Sequence, residues 1–442
     1  MEDTIVQFVA VGQGDYSIAY SYDGKSWTGV EGSNDIFTSG NNVVWNGIYW
    51  LAGGTGNYSI AKSTDGIMWT AVEGSNEIFT SANDFAWNGE LWAAVGEGPN
   101  TQAWSEDGVS WQELGSPVFE GVRIPPFGVG VEWNGSYFIA VGGLSVLQGK
   151  SSDGKNWTKN PKTNTPWTGG SERAWGIAWS VQKKLWVGTG DNGSYPQPSV
   201  DGFIWTGSSG DTFGKGKFGA QGFGVAWNGS YFIATGEIDS SILKSTDGSE
   251  WTSSDEGANF GTNNQSYARD VAWNDNLKLW VVVGNGGLYG GYAIVISEDE
   301  TGDTWDNRPS PLTAGNGVGS FNNPPTLEIS SSTTPIKNNI YSQPDISLNF
   351  SASEVLFDIC GNNFLITNGT LGEIFHNDNY NLFTATITAE EAGKVSIIAP
   401  PGSIQSSASI NNVESSNKFE WFYNYPPTLD ISSTDVSYGD IY

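Results

Sequence analysis

The chain has 442 residues, a formal net charge of −29 and only 15% charged residues, together with 59 Gly and 21 Trp. This length predicts more than one domain, and the aromatic, glycine-rich composition favours an all-β protein with many tight turns. The acidic balance argues against nucleic-acid binding, which needs a basic surface, and against adhesion to anionic membranes.

Few residues are available for metal or histidine chemistry. Cys360 and His376 are the only cysteine and histidine. An intrachain disulfide and a thiolate metal site within one chain are therefore excluded, and a histidine-dependent triad has a single candidate histidine. We expect no cofactor and no metal. The first residues, MEDTIVQFVAVG, lack the basic and apolar regions of a Sec signal peptide, and no apolar run of about 18 residues predicts a membrane span.

A seven-residue pattern, S-x-D-G-x-x-W, recurs along the chain. Its serines lie 42 to 52 residues apart, and the seventh copy is stretched by two residues. The aspartates of the seven copies are Asp23, Asp65, Asp107, Asp153, Asp201, Asp247 and Asp299. We interpret them as structural: each carboxylate is expected to accept hydrogen bonds from its own turn, the Gly to supply a positive φ, and the Trp to pack on a neighbouring strand.

A second pattern keeps step with the first. Trp-Asn-Gly or a variant begins at positions 45, 87, 133, 179, 227 and 273, and a strand ending in Gly follows each time. Asn-Gly and Asp-Gly between apolar runs are strong hairpin signals, and four strands repeated every 40–50 residues or so predict propeller blades. A late segment, residues 315–323, resembles an inner strand. We expect it to pair beside the first strand and close a ring of seven.

The seven-fold S-x-D-G-x-x-W resembles the Asp-box, or bacterial neuraminidase repeat, of β-propellers that include sialidases, sortilin and xyloglucanases. The resemblance covers about residues 4 to 323 and implies a seven-bladed β-propeller over residues 1–323. The denser pattern, GVAWNG with YFIAVG and STDG..WT, is similar to propeller repeats in surface proteins of large aquatic DNA viruses and phages.

Composition changes at Asn322, beyond which tryptophan is rare and Ile, Ser and Thr are frequent. Alternating strand patterns predict a β-sandwich over 324–424, which resembles the Ig-like domains of bacterial adhesins. YPPTLDISST, from Tyr425, restates NPPTLEISSS, from Asn323, so residues 425–442 are expected to begin a second Ig-like domain.

Long, individual loops between the blades are where we expect binding, because varied loops on a repeated scaffold usually carry it. Arg123, Arg173 and Arg269 precede inner strands, and Trp167 lies in one such loop; these four are the candidate ligand-binding residues. Sialidases clamp a carboxylate with three arginines from similar positions, but here the VRIPP motif follows the third box and no tyrosine nucleophile is evident. The alternative is that each arginine pairs with a loop carboxylate such as Glu120, Glu172 or Asp270.

The sequence therefore favours a non-enzymatic attachment protein on the exterior of a virus particle, made without a Sec signal and carrying an Ig-like stalk. Its expected partners are other virion proteins and a host-surface glycan or receptor, and homo-oligomerisation is left open. Two alternatives remain: a glycoside hydrolase, and an intracellular assembly scaffold.

Overall fold

The structure is a computed structural model, and it describes residues 5–114, 118–119, 127–143, 148–160, 173–191, 196–210, 221–237, 241–260, 267–286, 291–333, 335, 340–341, 343–356, 359–400, 402–406 and 416–423. The protein is all-β, built mainly of four-stranded antiparallel sheets. Helix within these ranges is confined to single turns such as α1 (Ser75–Ile78). No helix in the described ranges is long and apolar enough to cross a membrane.

Seven sheets follow one another between residues 5 and 323 of the described chain. Their strands, in chain order, are β1 (Phe8–Gly14), β2 (Ile18–Ser21), β3 (Thr28–Gly29), β4 (Phe37–Trp45), β5 (Trp50–Gly56), β6 (Ile60–Ser63), β7 (Thr70–Ala71), β8 (Ser81–Trp87), β9 (Trp92–Glu97), β10 (Gln102–Ser105), β11 (Gln112–Glu113), β12 (Phe127–Trp133), β13 (Phe138–Gly143), β14 (Gln148–Ser151), β15 (Thr158–Lys159), β16 (Ala174–Ser180), β17 (Leu185–Gly190), β18 (Gln197–Ser199), β19 (Ser209–Gly210), β20 (Gly222–Trp227), β21 (Phe232–Gly236), β22 (Ile242–Ser245), β23 (Glu250–Ser253), β24 (Ala268–Asn274), β25 (Leu279–Gly284), β26 (Ile294–Ser297), β27 (Asp306–Arg308) and β28 (Leu312–Ser320).

Each sheet is a meander whose strands pair in chain order, with two exceptions: β28 pairs beside β1 in the first sheet, and β19 pairs in parallel beside β23 at the edge of the sheet formed by β20 to β23. The first strands of the sheets, here called the inner strands, are β28, β4, β8, β12, β16, β20 and β24. Each inner strand packs against the next, and β24 packs against β28, so the series returns to its start. The β28–β1 pairing, with Phe8 opposite Ser320, joins the two ends of this part of the chain.

The turn after an inner strand is formed by its Asn and Gly. Asn46 Oδ1 accepts hydrogen bonds from the N–H groups of Ile48 and Tyr49, at 3.0 and 2.9 Å. Gly47 takes φ 95°, a conformation that costs little only for glycine. Asn88, Asn134 and Asn228 accept the same two bonds in their own turns. The Trp-Asn-Gly pattern is therefore explained by local hairpin chemistry.

The S-x-D-G-x-x-W turn of each sheet packs on the second strand of the preceding sheet. Gly24 has φ 70°, and a Cβ there would clash with Leu279 of β25. A Cβ on Gly202 would likewise meet Ile139 of β13. Behind these turns, second-strand tryptophans such as Trp50 and Trp280 are completely buried. The glycine is thus required both by the turn and by the fit between sheets.

The region after residue 323 contains two further sheets, ordered β29-β31-β34-β33 and β30-β36-β35-β32. Alternate residues of β31 and β34 are buried, including Leu348 and Ile387, and they share one core with Trp421. The strands are β29 (Leu327–Ser331), β30 (Ile340–Tyr341), β31 (Asp345–Ala352), β32 (Leu365–Thr367), β33 (Gly369–His376), β34 (Leu382–Ala389), β35 (Gly393–Ile398) and β36 (Phe419–Tyr423). Residues 425–442, where the sequence predicts a second Ig-like domain, lie outside the described residues.

Candidate functional site

The inner strands surround a cavity of about 970 Å³, here called the channel. Neighbouring inner strands meet within one residue of equivalent positions, as Asn41 does with Ala82 and Asp84 with Val131, so the strands run in the same direction. Their first residues therefore line one end of the channel and their last residues line the other. We call the first end the arginine mouth, after Arg173 and Arg269, and the second the tryptophan end.

Aromatic rings surround the guanidinium group of Arg269 at the arginine mouth. Its Cζ lies 4.7 Å from the ring centroid of Phe223 and 5.0 Å from that of Trp175, with Tyr267 at 6.0 Å. Burial among these rings lowers the pKa of Arg269, which remains a cation. Within the described residues no carboxylate forms an ion pair with this guanidinium. Aromatic faces stabilise its charge and leave its N–H groups free for an anion.

Arg173 also lies close to Trp175. Its Cζ is 5.6 Å from the Trp175 ring and 5.3 Å from that of Phe127. Trp175 is held in place by its indole N–H, which donates to Asp191 Oδ1 at 2.6 Å. The second oxygen of Asp191 is 3.9 Å from Arg173 Nε, which is too long for a hydrogen bond. The Arg173 side chain is 38% exposed. Two guanidinium groups therefore lie near one fixed indole ring, with Cζ atoms 5.6 and 5.0 Å from its centroid.

The opposite side of the same end is lined by amides. Asn316 donates to the carbonyl oxygen of Gly40, Asn41 to that of Ala82, and Asn83 to that of Gly128, at 2.8 to 3.0 Å. Each amide ties its inner strand to the next. Three of the seven equivalent positions carry these asparagines, one carries Val129, and three carry Trp175, Phe223 and Arg269. The cationic groups of this end therefore lie on the aromatic side.

Three acidic side chains lie deeper in the channel. Asp84 accepts hydrogen bonds from its neighbour Phe85 and from Val131 of the next inner strand, and Asp270 accepts equivalent bonds from Val271 and Val318. Burial raises the pKa of Asp84 well above its usual value and that of Asp270 to about 6.

Glu132 occupies a position where the other sheets carry Val, Ala or Gly. Its carboxylate accepts one bond, from the adjacent Trp133 N–H at 3.0 Å, and burial raises its pKa to about 7. Among the described residues no group of three or more Asp, Glu, Cys or His is arranged to hold a metal ion.

Two of the four candidate ligand-binding residues, Arg173 and Arg269, meet at the arginine mouth. Arg123 and Trp167 lie outside the described residues, as do Glu120 and Glu172. Arg269 and Asp270 form no ion pair in the described structure; the Asp270 oxygens accept two backbone N–H groups, and the charge of Arg269 offsets part of the burial that raises the pKa of Asp270. The sequence analysis missed Trp175 and Phe223, although aligning the repeats places both at the position of Arg269.

The carboxylates of the repeated boxes accept hydrogen bonds from their own turns. Asp107 Oδ1 accepts hydrogen bonds from the N–H groups of Val109 and Ser110, at 2.8 and 2.6 Å, and from the Ser105 hydroxyl at 3.0 Å. The backbone bonds lower its pKa to about 2. The same pattern surrounds Asp23, Asp65, Asp153, Asp201 and Asp247. A carboxylate held in this way is unsuited to proton transfer near neutral pH.

The stretched seventh box departs from this pattern. Asp299 Oδ1 accepts the N–H of Thr301 at 2.9 Å. In five of the six complete boxes the Trp indole donates to the box Gly, as Trp27 does to Gly24 at 2.9 Å. Trp305 donates instead to the carbonyl oxygen of Ser254, in the preceding repeat, at 2.6 Å. The two extra residues thus convert a bond within the turn into a bond between repeats.

The tryptophan end is covered by the C-terminal region. Glu354 and Val355 line the channel together with the last residues of the inner strands, Trp45, Trp87, Trp179, Trp227 and Trp273. The indole N–H of Trp133 donates to Gln405 Oε1 at 3.0 Å. Lys184 lies 5.7 Å from the ring centroid of Tyr380. The two regions therefore meet at this end of the channel.

Comparison with known proteins provides no family for the chain. No protein-family model matches it, and no curated protein matches it. Solved structures that resemble it include a protein of unknown function from Bacteroides thetaiotaomicron, with 13% identity and a TM-score of 0.41 over 62% of this chain and 72% of that one. Another is the extracellular domain of a hybrid two-component system of the same organism, with 11% identity and a TM-score of 0.44 over 90% of this chain and 57% of that one.

Proposed function

We propose that residues 1–323 form a seven-bladed β-propeller and residues 324–424 an Ig-like β-sandwich. The propeller is supported by the seven successive sheets, the return of the inner-strand series to its start, and the β28–β1 pairing. The sandwich is supported by two four-stranded sheets that share one core.

On this scaffold we propose a non-enzymatic attachment protein, displayed on the exterior of a virus particle, that binds an acidic glycan at the arginine mouth. The observation that supports the binding is the pair of guanidinium groups close to Trp175, with no ion pair at Arg269 among the described residues. Sugar rings stack on indole faces, while carboxylate or sulfate groups accept hydrogen bonds from arginine. The exterior location rests on the resemblance of the repeats to viral surface proteins.

The binding is tested on an array of carboxylated, sulfated and neutral oligosaccharides. The wild-type chain is expected to retain acidic glycans and to release neutral ones. Arg269→Gln removes the charge while keeping a side chain of similar length, and is expected to abolish retention. Arg308→Gln is the matched control, because Arg308 lies in β27, is not a channel residue, and pairs with Asp306. Equal retention by the two variants would contradict the proposal.

The location is tested separately. Antibodies against residues 1–320 should label intact purified particles, and the protein should be present in them. Its absence from particles would remove the virion assignment and leave the binding proposal standing.

A glycoside hydrolase is the second candidate, and Glu132 is the observation that favours it. A carboxyl group with a pKa of about 7 inside a channel has the ionisation expected of a general acid. Neither Asp84 nor Asp270 is a ready partner, because backbone N–H groups occupy both. Hydrolysis of an array glycan by the wild type that Glu132→Gln abolishes would favour the enzyme; binding without product would favour attachment.

A further inference from the structure

The C-terminal region meets the tryptophan end of the channel at Gln405 and Tyr380 and at one short segment that lines the channel, residues 353–356, here called the latch. We infer that the latch docks on the tryptophan end while Glu354 is neutral and is released when Glu354 ionises. The docked and released states would then hold the C-terminal region at different angles to the first 323 residues.

Contacts with the first region and with the rest of the C-terminal region stabilise the docked state. Val355 packs against the hydrophobic cluster that contains Trp133 and Val181 of the first region, and Leu356 is completely buried. The Leu356 N–H donates to the carbonyl oxygen of Tyr380 at 2.9 Å. Tyr380 in turn faces Lys184 of the first region. The latch is thus a small apolar contact with one acidic side chain, Glu354, in its middle.

The surroundings of Glu354 supply little compensating charge. Asp275 and Lys278, in the turn between β24 and β25, are the charged groups that act on it. Lys278 Nζ is already bound to Asp275 at 2.7 Å, so the lysine charge is largely neutralised. Within the described residues no hydrogen bond reaches the Glu354 carboxyl group. Gln182, Asn228 and Asn322, which also line this end, are neutral.

The direction of the pH effect follows from these contacts. Burial, and secondarily Asp275, raise the pKa of Glu354 to about 7, whereas Lys278 lowers it slightly. A released Glu354 in water has an ordinary pKa near 4.5. The docked state therefore binds the proton more tightly. Docking is strongest below about pH 4.5 and weakens as the pH rises through about 7, on the order of tens of fold between pH 5 and 8.

The chain offers a convenient probe, because its single cysteine, Cys360, is exposed and lies next to the latch. A second label site is introduced by Met68→Cys, since Met68 is 74% exposed in a box turn of the first region. Both cysteines carry nitroxide labels, and pulsed dipolar spectroscopy on the full chain gives their distance distribution at pH 5 and pH 8.

We expect a narrow distribution at pH 5 and a broader, shifted one at pH 8. Glu354→Gln, which is neutral at both pH values, should keep the narrow distribution throughout. Glu373→Gln, an exposed glutamate on β33, is the matched control and should behave as the wild type. Identical wild-type distributions at pH 5 and 8 would overturn the inference, as would a Glu354→Gln chain that broadens like the wild type. Circular dichroism checks that each variant is folded.

Discussion

Asp84 Oδ2 accepts a hydrogen bond from the backbone N–H of Val131 at 2.8 Å, so a side chain of one inner strand pairs with the backbone of the next. Asp270 makes the equivalent bond to Val318 at 3.0 Å. In another sheet a threonine of the second strand makes a similar link: Thr189 Oγ1 donates to the carbonyl oxygen of Phe223 in the next inner strand at 2.7 Å. Neighbouring sheets are therefore joined by polar side chains at the channel wall as well as by apolar packing.

Asp84→Ala is expected to destabilise the protein by about 1–3 kcal/mol at pH 5, because the Val131 N–H loses its acceptor within the channel wall. The measurement is the midpoint of urea unfolding. Glu90→Ala, at an exposed turn of the same sheet, should change the midpoint little. An Asp84→Ala midpoint at or above that of the wild type would refute the bridging role.

Stability should fall as the pH rises from 5 to 8. The pKa values of Asp270 and Glu132 are raised to about 6 and about 7, so the folded state binds protons that the unfolded state has released. Their stabilising effect is present at low pH and is lost as the pH rises through 6 and 7. Glu132→Gln should remove about 1–2 kcal/mol of this pH dependence, measured by urea unfolding at both pH values. Glu113→Gln, exposed on β11, should leave it intact.

Protonation of the box aspartates should lower the stability of the folded protein, so that stability falls as the pH decreases below about 4. The pKa values of Asp107 and Asp153 are lowered to about 2 by hydrogen bonds of their turns, so their stabilising effect is present above about pH 4 and is lost as the pH falls toward 2. Asp107→Ala should cost about 1–2 kcal/mol at pH 7 and leave less acid sensitivity between pH 4 and 2. If it unfolds in acid over the same range and to the same extent as the wild type, the account of the box is wrong.

Trp305→Phe should destabilise more than Trp27→Phe. Trp305 is 3% exposed, and its indole N–H is the donor to the buried Ser254 carbonyl oxygen, which would lose this bond. Trp27 is partly exposed and bonds only within its own turn. We expect a difference of about 1 kcal/mol between the two variants in urea unfolding. Equal decreases in the free energy of unfolding would show that the Trp305–Ser254 hydrogen bond adds nothing to the packing of the ring.

The repeated features could be predicted from the sequence because each depends on local chemistry. Asn-Gly and Asp-Gly specify hairpins whatever surrounds them, so the strand order within a sheet follows from turn residues such as Gly47 and Gly24. The seven-fold spacing and the late strand led to the β28–β1 pairing by the same reasoning. The sequence predicts Arg173 and Arg269 at the mouth of the channel because they lie just before, or at the start of, inner strands.

The side chains that line the channel could not be predicted in the same way, because they depend on which residue occupies one position in each repeat. Asp84, Gly130 and Asp270 occupy equivalent β-bulge positions, and only the three-dimensional register shows that the two acids face the channel. The burial of Glu354 depends on two regions meeting across a large separation in sequence. Such a contact has no local signal.

The central claim is that Arg269 and its aromatic neighbours bind an acidic glycan without turning it over. The most direct measurement is calorimetric titration of wild-type protein with oligogalacturonate and with oligo-κ-carrageenan. Methyl-esterified oligogalacturonate is the neutral control. After each titration the solution is analysed for cleavage products. The account predicts saturable binding of a carboxylated or sulfated probe, none of the neutral ester, no cleavage, and at least tenfold weaker binding by Arg269→Gln but not by Arg308→Gln. No binding of either acidic probe, or equal binding by Arg269→Gln, would contradict it.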